Sequence, residues 1–282
     1  MKESSLNTVL LVSSLIFLVP LLIVPIFYSV SVSFQSKAAL SKEFTWIGLQ
    51  NYVTILSGQE FWSSLLFGAV WSMAAVSLQF VVGTGIALAL NEQFKGRAFA
   101  RAILFLPYVV PTTVAAGLWK WLLHENYGLL NCYLQTLGIR VSSWWNMQYA
   151  PLSLTLVAVW QFFPFVTLCV LAGLQAIPQE QYEAAKVDGA SAVRRFIHVT
   201  LPGLRNVLFV ALLLRIIWMF NKFDLPWVLT KGGPITVTQN LPIYAYQLTF
   251  GDFNMGMGTA ASNIIMLILV AMTLVYFRVY KV

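Results

Sequence analysis

Charged residues are scarce in this chain of 282 residues: 10% are Asp, Glu, Lys or Arg, whereas 59% are hydrophobic. A soluble domain usually carries about 25% charged residues. A water-soluble protein of this length could not bury so much apolar surface, so the sequence predicts that lipid surrounds most of the chain. Aromatic residues reach 15%, which suits belts of Trp and Tyr at the two membrane interfaces.

Residues that hold metals, disulfides or phosphates are also few. The two cysteines, Cys132 and Cys169, show no metal-ligand spacing, and we expect no bridge between them because Cys169 lies within an apolar run. The two histidines, His124 and His198, lack the companions of a zinc motif. The chain contains no Gly-Lys pair and hence no phosphate-cradling loop. We therefore expect no metal, cofactor or ATPase site in the chain itself, which would make it a non-enzymatic subunit.

Apolar residues are abundant and form six runs of the roughly 20 residues that cross a bilayer. Barrel strands would be about half as long and would alternate in polarity, so the runs predict an all-α membrane protein with six transmembrane helices. The first run is too long for a signal-peptide core and has no A-x-A site, so we expect it to be retained, with kinks at Pro20 and Pro25. The runs cover about 9–32, 62–90, 102–122, 152–175, 206–229 and 258–278.

The net charge of +7 is spread over the ends of the apolar runs, a pattern that sets membrane topology rather than one that binds nucleic acid. With both termini in the cytoplasm, five basic residues fall outside or at the outer boundary (Lys37, Lys42, Lys120, Arg140, Lys231) and two fall within the fifth run (Arg215, Lys222). The cytoplasmic side then holds the other ten of seventeen: Lys2, Lys95, Arg97, Arg101, Lys186, Arg194, Arg195, Arg205, Arg278 and Lys281. This excess predicts that both termini are cytoplasmic.

One compact polar segment, EAAKVDGASAVRRFIHVTLPG at 183–203, separates the fourth and fifth apolar runs. Pro178 suits the first turn of a helix that continues through Tyr182–Val187, and Gly189 can adopt the positive φ that ends it. Ser191 can cap a second helix, which we expect Pro202 to end. Four residues of that second helix recur at the spacing of one buried face: Val193, Phe196, Ile197 and Thr200.

These signals predict a helix–turn–helix within residues 176–205, which we call the insert. Its Ala184 and Ala185 have little bulk, so a partner's backbone could approach closely, and Glu183 could pair with a partner arginine. The residues alone allow two interpretations, a docking element for another protein or an ordinary solvated loop.

The insert closely resembles the signature of ABC importer permeases: Glu-Ala-Ala, three residues, Gly, nine residues, Ile, one residue, Leu-Pro. The chain departs from that pattern at Val199, where Ile is favoured. The residues that match it are Glu183, Ala184, Ala185, Gly189, Leu201 and Pro202. Four further stretches resemble the carbohydrate-uptake branch of this family: LQAIPQEQYEAAKVDGA from residue 174, RAILFLPYVVP at 101–111, FNKFDLPWVLTKGGP at 220–234 and LPIYAYQLTF at 241–250.

The resemblance implies one permease domain over 1–282 with the type I importer (MetI-like) fold, in a bacterial inner membrane. It also implies a second, related permease subunit, two ATPase subunits that hold ATP and Mg²⁺, and an extracytoplasmic solute-binding protein. The loops at 35–61 and 231–234 would then face outside as candidate docking sites for that protein. The insert would couple to the ATPase through Glu183, Ala184, Ala185, Asp188, Gly189, Phe196, Leu201 and Pro202.

The fifth apolar run carries three charged residues, Arg215, Lys222 and Asp224. A charge at the bilayer centre costs roughly 2.5–3.5 kcal/mol on insertion scales, so such residues should face the bundle or water. Arg215, Met219 and Lys222 share one helix face, and Asp224 should point elsewhere. Either this face lines a wet cavity that meets the solute, or Lys222 and Asp224 snorkel at the outer interface while Arg215 pairs within the bundle.

The fourth run contains WQFFPF at 160–165, in which Pro164 could open the helix locally. Amides read hydroxyl groups and aromatic rings stack on sugar C–H faces, although such a run is also a common packing pattern. The resemblance to sugar permeases favours this helix and the next for solute contacts. The candidate substrate-binding residues are Gln161, Phe162, Phe165, Arg215, Met219 and Lys222.

The function indicated is therefore that of a permease subunit that imports a sugar or sugar derivative by alternating access. Two cations at the path would also suit an acidic sugar. Other solutes, such as a glycerol phosphodiester or a polyol, stay open. An ion-coupled carrier with Lys222 and Asp224 as its relay is a further alternative, as is a membrane enzyme acting on lipid-linked sugars. The ten acidic residues are too dispersed to favour the enzyme.

Overall fold

A computed structural model describes residues 2–36, 38, 43–139 and 143–280. Four basic residues to which the charge pattern assigns a side of the membrane lie outside these ranges: Lys37, Lys42, Arg140 and Lys281. The chain forms two compact units, one made of Met1–Trp62 and Leu241–Val275, the other of Ser63–Asn240 and Tyr276–Val282. Both are built almost entirely from helices.

The first unit begins with the long helix α1 (Lys2–Ser33), which runs through Pro20 and Pro25. Two short antiparallel strands follow, β1 (Gln35–Ser36) and β2 (Thr45–Trp46). Helix α2 (Gln50–Ser57) precedes the start of α3 (Gln59–Asn91). The unit is completed by α12 (Leu241–Tyr246), a π-helical turn (Gln247–Gly251) and most of α13 (Met255–Val279).

Buried polar side chains hold this first unit together. Ser29 donates a hydrogen bond of 3.1 Å to Asn263 Oδ1, which joins α1 to α13. Asn51 Nδ2 donates to the carbonyl oxygens of Ser33 at 2.8 Å and Gln35 at 3.0 Å, which ties α2 to the end of α1. Such bonds replace the apolar driving force that packs helices in water.

The second unit contains most of α3, α4 (Arg97–Val109), α5 (Thr112–Leu122) and α6 (Leu129–Thr136). Helix α7 (Ala150–Ala176) follows, then α8 (Gln179–Val187) and α9 (Ala192–Arg195). A π-helical turn (Phe196–Thr200) leads into α10 (Leu201–Phe220), and α11 (Asp224–Thr230) comes last. Helix α7 is the central element because most of its residues are buried.

Glycines allow the helices beside α7 to approach closely. A Cβ atom at Gly83 of α3 would lie 2.8 Å from Val166 Cβ, and one at Gly173 of α7 would lie 2.6 Å from Leu204 Cδ2 of α10. Small residues at helix contacts are typical of membrane bundles. Helices α3, α7 and α10 are therefore packed without room for larger side chains at these points.

The described residues contain five helices long and apolar enough to span a membrane, at Val12–Ser33, Gln59–Asn91, Ala150–Ala176, Ala192–Phe220 and Met255–Val279. A sixth span exists if α4 and α5, which meet at 96°, are counted as one. The all-α membrane fold with six apolar segments is thus confirmed in its main features.

Three of the predicted segments differ in detail from the structure. The third, at 102–122, is broken rather than straight, because Pro111 lacks an N–H and forces the preceding Val110 into an extended conformation. The fifth, at 206–229, ends early at Phe220, and the chain turns before α11 begins. Pro164 does not open the fourth segment, because α7 is buried on several sides and continues through it.

Candidate functional site

A cavity of about 540 Å³ lies in the second unit, where α4, α7 and the end of α10 meet. This size falls within the range of about 300–1,000 Å³ found for small-molecule sites. Its wall combines aromatic rings with three charged side chains. The lining residues are Tyr108, Phe162, Arg215, Ile217, Trp218, Met219, Asn221, Lys222, Phe223 and Asp224.

Arg215 is the most buried charge in this wall, with only 3% of its surface exposed. Its Nε donates a hydrogen bond of 2.9 Å to Gln79 Oε1. The guanidinium carbon lies 4.9 Å from the ring centre of Phe162, and Phe165 and Trp218 lie at 5.8 and 6.0 Å. Rings at these distances attract a cation. The Nη2 group is buried without a hydrogen-bond partner.

Gln79 of α3 was missed by the sequence reasoning, although it is fully buried at the centre of this network. Its Nε2 donates to the Ala158 carbonyl oxygen at 3.2 Å and contacts Met219 Sδ at 3.9 Å. The amide therefore links α3, α7 and α10. The available signal was the only amide side chain within the second apolar run, because intramembrane polar groups tend to be functional.

Lys222 and Asp224 form an ion pair at the edge of the cavity, with Nζ 3.0 Å from Oδ1. Lys222 Nζ also lies 3.5 Å from Thr112 Oγ1 and 4.7 Å from the ring centre of Phe162. The expectation that Asp224 points elsewhere is wrong. It assumed a helix through Lys222, whereas the turn after Phe220 brings the two side chains together.

The same turn changes how the predicted face of α10 is built. Lys222 lies beyond the helix, yet Arg215, Met219 and Lys222 all line the cavity. For Arg215 both alternatives describe part of the arrangement, because it bonds within the bundle and lines the cavity as well.

The aromatic segment of α7 is divided between the cavity and its surroundings. Phe162 lines the cavity, whereas Phe165 lies behind it, 5.2 Å from the Trp218 ring. Gln161 is not among the lining residues; its Nε2 donates a hydrogen bond of 3.4 Å to the Val110 carbonyl oxygen at the α4–α5 break. Gln161 thus contacts the hinge-like break rather than the cavity.

The insert lies at the opposite end of α10. Helix α8 begins at Gln179, directly after Pro178, and ends at Val187 as predicted; it has no buried residue. Gly189 has φ of 72°, and the N–H groups of Gly189 and Ala190 donate to the carbonyl oxygens of Lys186 and Ala185 at 3.0 and 2.9 Å. This is the glycine-terminated helix end that the sequence predicts. Ser191 Oγ accepts from the Arg194 N–H, as predicted for a cap.

The two arms of the insert are tied together by side chains. The hydroxyl groups of Tyr182 and Thr200 lie 3.0 Å apart, and Arg195 Nη1 donates to the Ala190 carbonyl oxygen at 2.9 Å. Glu183, Ala184, Asp188 and Gly189 are left exposed and Ala185 half-exposed. The insert therefore presents a preformed surface.

Two expectations for the second arm are wrong. Pro202 does not end the helix. Proline has no N–H to donate, but the π-helical turn before it changes the hydrogen-bond pattern, and the span continues to Phe220. The predicted buried face is mostly exposed. Of its members only Thr200 is buried, and Phe196 is half-buried. Val193 and Ile197 are exposed because none of the residues that the structure describes covers them.

Metal-binding clusters are absent from the described ranges: no group of three or more His, Cys, Asp or Glu side chains could hold an ion. The cavity wall offers a solute charged side chains and aromatic rings. A multi-span protein with a charged cavity at one end of a helix and an exposed polar hairpin at the other is organised as a membrane permease.

Comparison with known proteins gives the family. The sequence pattern of the family "Binding-protein-dependent transport system inner membrane component" matches residues 79–282. The trehalose/maltose transport system permease protein MalF of Thermococcus litoralis is 38% identical over 280 residues, covering 99% of this chain and 94% of that protein. The sulfoquinovosyl glycerol transport system permease protein SmoG of Agrobacterium fabrum is 33% identical over 280 residues, covering 98% and 90%.

A solved structure shows the same fold. A chain of the bacterial alginate ABC transporter, in complex with its alginate pentasaccharide-bound periplasmic protein, matches with a TM-score of 0.87 at 21% identity and covers 98% of this chain and 94% of its own. The protein therefore belongs to the family of binding-protein-dependent transport system inner membrane components. The resemblance to ABC importer permeases and to their carbohydrate-uptake branch is confirmed.

Proposed function

We propose that this chain is the permease subunit of an ATP-driven ABC importer for a sugar or sugar derivative. The carrying observation is that one helix, α10, joins an exposed insert with the ABC signature to the wall of a charged cavity. The chain then supplies the path for the solute and the helix that transmits movement to it, whereas partner subunits hydrolyse ATP.

Exposed apolar side chains on the insert support its role as a docking surface. Val187 is 87% exposed and Val193 is 68% exposed, although they lie on a polar segment with several charges. Apolar groups left in water in this way favour a protein partner. In this proposal two ATPase subunits bind here and hold ATP and Mg²⁺, with Glu183, Ala184, Ala185, Asp188, Gly189, Phe196, Leu201 and Pro202 at or near the contact.

The helix gives this docking a mechanical consequence. Helix α10 has 20 residues, so it is about 30 Å long. Because the π-helical turn joins it to the insert without a break, a displacement of the insert moves the whole helix. Arg215 and Met219 lie near its other end and would move with it, which alternately opens and closes the cavity.

The sugar class rests on the named relatives and on the cavity wall. Phe162 offers an aromatic face for sugar C–H groups, and the charged residues offer hydrogen-bond donors. We propose Phe162, Arg215, Met219 and Lys222 as contacts with the solute. Phe165 supports Arg215 from behind, and Gln161 lies at the α4–α5 break.

The proposed assembly has a second, related permease and an extracytoplasmic solute-binding protein. Both termini and the insert lie on the cytoplasmic side in this arrangement, because the basic residues are concentrated there. The segments at 35–61 and 231–234 then face the binding protein. The fold match to a transporter chain crystallised with its periplasmic protein is compatible with this arrangement.

The coupling role is tested by Gly189→Pro. Proline cannot adopt the φ of 72° and would lose the bond from Gly189 N–H, so the turn between the arms should be distorted. We expect normal amounts of protein in the membrane but ATP-dependent uptake into proteoliposomes at background level.

Gly138→Pro is the matched control. Gly138 also has positive φ, also follows a short helix, and its N–H donates to Gln135 with the same 3.0 Å geometry, but it lies far from the insert in sequence. This variant should retain most uptake. Normal uptake by Gly189→Pro, or uptake that ignores ATP and follows a proton gradient, would contradict the proposal and favour an ion-coupled carrier.

A further inference from the structure

We infer that the cavity receives an anionic saccharide, and that Arg215 binds its acid group while Gln79 positions Arg215. The inference rests on the proposed import of a sugar and narrows the class of solute to one with a carboxylate, sulfonate or phosphate. It depends on the net charge of the cavity wall, on the Arg215 Nη2 group that has no partner, and on the neutral amide of Gln79 that holds Arg215.

The charge balance of the cavity wall is positive. Lys222 is neutralised by Asp224 at 3.0 Å, whereas Arg215 has no carboxylate partner among the described residues. Both cations lie within 5 Å of the Phe162 ring centre. A cation with 3% of its surface exposed loses its hydration, and among the described residues an amide oxygen and aromatic faces are what stabilise it. An anion entering the cavity supplies the missing counter-charge.

Arg215 also has an unused donor, which is the contact that we assign to the anion. A guanidinium has five N–H donors in a planar fork. In Arg215 the Nε bond goes to Gln79, and Nη2 is buried without a partner on a residue that lines the cavity. Carboxylate, sulfonate and phosphate oxygens match this geometry and form stronger hydrogen bonds than a neutral hydroxyl does.

Gln79 fixes the direction of the fork without neutralising it. Its Oε1 accepts from Arg215 Nε, while its Nε2 is held by the Ala158 carbonyl oxygen, so the amide cannot rotate freely. A glutamate in this place would form an internal ion pair and remove the need for an external anion. The neutral amide thus keeps Arg215 oriented and leaves its positive charge for the solute.

The test compares sugars that differ only at C6: glucose, glucuronate, glucose 6-phosphate and glucose 6-sulfonate. Binding is measured by calorimetry on the assembled importer in lipid nanodiscs, without the solute-binding protein. We expect at least one anionic member to bind about tenfold more tightly than glucose. Arg215→Gln should abolish this preference, and Arg215→Lys, which keeps the charge but loses the fork, should restore part of it.

Gln79→Glu is the decisive variant because it places a carboxylate beside Arg215, although it also removes the amide donor to the Ala158 carbonyl oxygen. Glutamate is nearly isosteric with glutamine, and its carboxylate would pair with the Arg215 guanidinium in place of the solute. We therefore expect the affinity for the anionic sugars, divided by the affinity for glucose, to fall to about one. Arg205→Gln is the matched control: it removes a cation from the same helix, one that lies over the Tyr280 ring instead of in the cavity. Its affinity ratio should equal that of the wild type.

The inference is overturned if no anionic member binds more tightly than glucose, or if the preference survives both Arg215→Gln and Gln79→Glu. ATP-dependent uptake, measured with the solute-binding protein present, separates this failure from a failure of the proposed function. An importer that accumulates neutral sugars with ATP and shows no anionic preference leaves the proposed function intact. An importer that accumulates no saccharide with ATP overturns both.

Discussion

The insert and the cavity occupy opposite ends of one helix, and they are stabilised in opposite ways. The insert is exposed and held by short-range bonds, such as the one between Tyr182 and Thr200, 18 residues apart. The cavity is buried and held by long-range bonds, such as the one between Arg215 and Gln79, 136 residues apart. The insert has a defined conformation, but its exposed face has no partner among the described residues. The cavity has a defined wall, but the positive charge of Arg215 has no carboxylate partner among them.

This difference indicates what each end responds to. An exposed preformed hairpin suits a protein partner that grips it from outside and needs no rearrangement inside the chain. A buried cation with an unused donor suits a small polar ligand, since removing that charge or pairing it changes the free energy of the bundle. Helix α10 connects the two, so its packing against α7 is the point where both can be disturbed together.

The largest effect is expected for Gly173→Val, which should disturb both ends. A Cβ atom there would lie 2.6 Å from Leu204 Cδ2 and 3.3 Å from Val207 Cγ2, so the buried Leu204 side chain or α10 itself would have to shift. Overpacking of this kind costs about 1–3 kcal/mol. The melting temperature of the purified complex should fall, and uptake should fall with it. Gly85→Val in α3, where nothing lies within 4 Å of a Cβ atom, should change neither by a comparable amount. Equal melting temperatures would show that α10 is not held by this contact.

The first arm of the insert and its turn could be predicted because their signals are local. Gly189 and Ser191 specify the end of one helix and the start of the next through bonds to residues three to five positions away. The error at Pro202 also has a local cause: proline was taken to stop a helix, whereas a π-helical turn carries the chain past it. No pattern of single residues distinguishes these two outcomes.

The cavity could be predicted only in part. Because charges are rare within apolar runs, Arg215 and Lys222 could be selected as candidate substrate-binding residues, and both line the cavity. Gln79 and Tyr108 come from other helices, and their proximity depends on packing over 100 or more residues, which helical periodicity does not encode. The pairing of Lys222 with Asp224 depends on the helix ending at Phe220, and the apolar run continued past that point.

A smaller effect, confined to the insert, is expected for Tyr182→Phe. The change removes only the hydroxyl that meets Thr200 at 3.0 Å. A hydrogen bond of this kind contributes about 0.5–1.5 kcal/mol. Amide hydrogen exchange should become faster in residues 179–200 and stay unchanged in the cavity wall. Tyr133→Phe, in which an exposed tyrosine of α6 loses its hydroxyl, is the control and should leave the insert's exchange rates alone. Faster amide hydrogen exchange around Arg215 would show that a change in the insert also destabilises the cavity wall.

The smallest effect on stability is expected for Asp224→Asn, which also sharpens the contrast between the two cations. The side chain of Asp224 is 40% exposed and that of Lys222 is 20% exposed, so the pair should contribute about 0–1 kcal/mol. The amide oxygen of the substituted side chain can still accept from the Leu225 N–H as the carboxylate does. Lys222 would then be unpaired beside Phe162, and the cavity would gain a second free cation. We expect an unchanged melting temperature and tighter binding of glucuronate.

Asp252→Asn, which removes a carboxylate outside the cavity wall, should not alter that affinity. Weaker glucuronate binding by Asp224→Asn would mean that the solute uses the carboxylate rather than the cations.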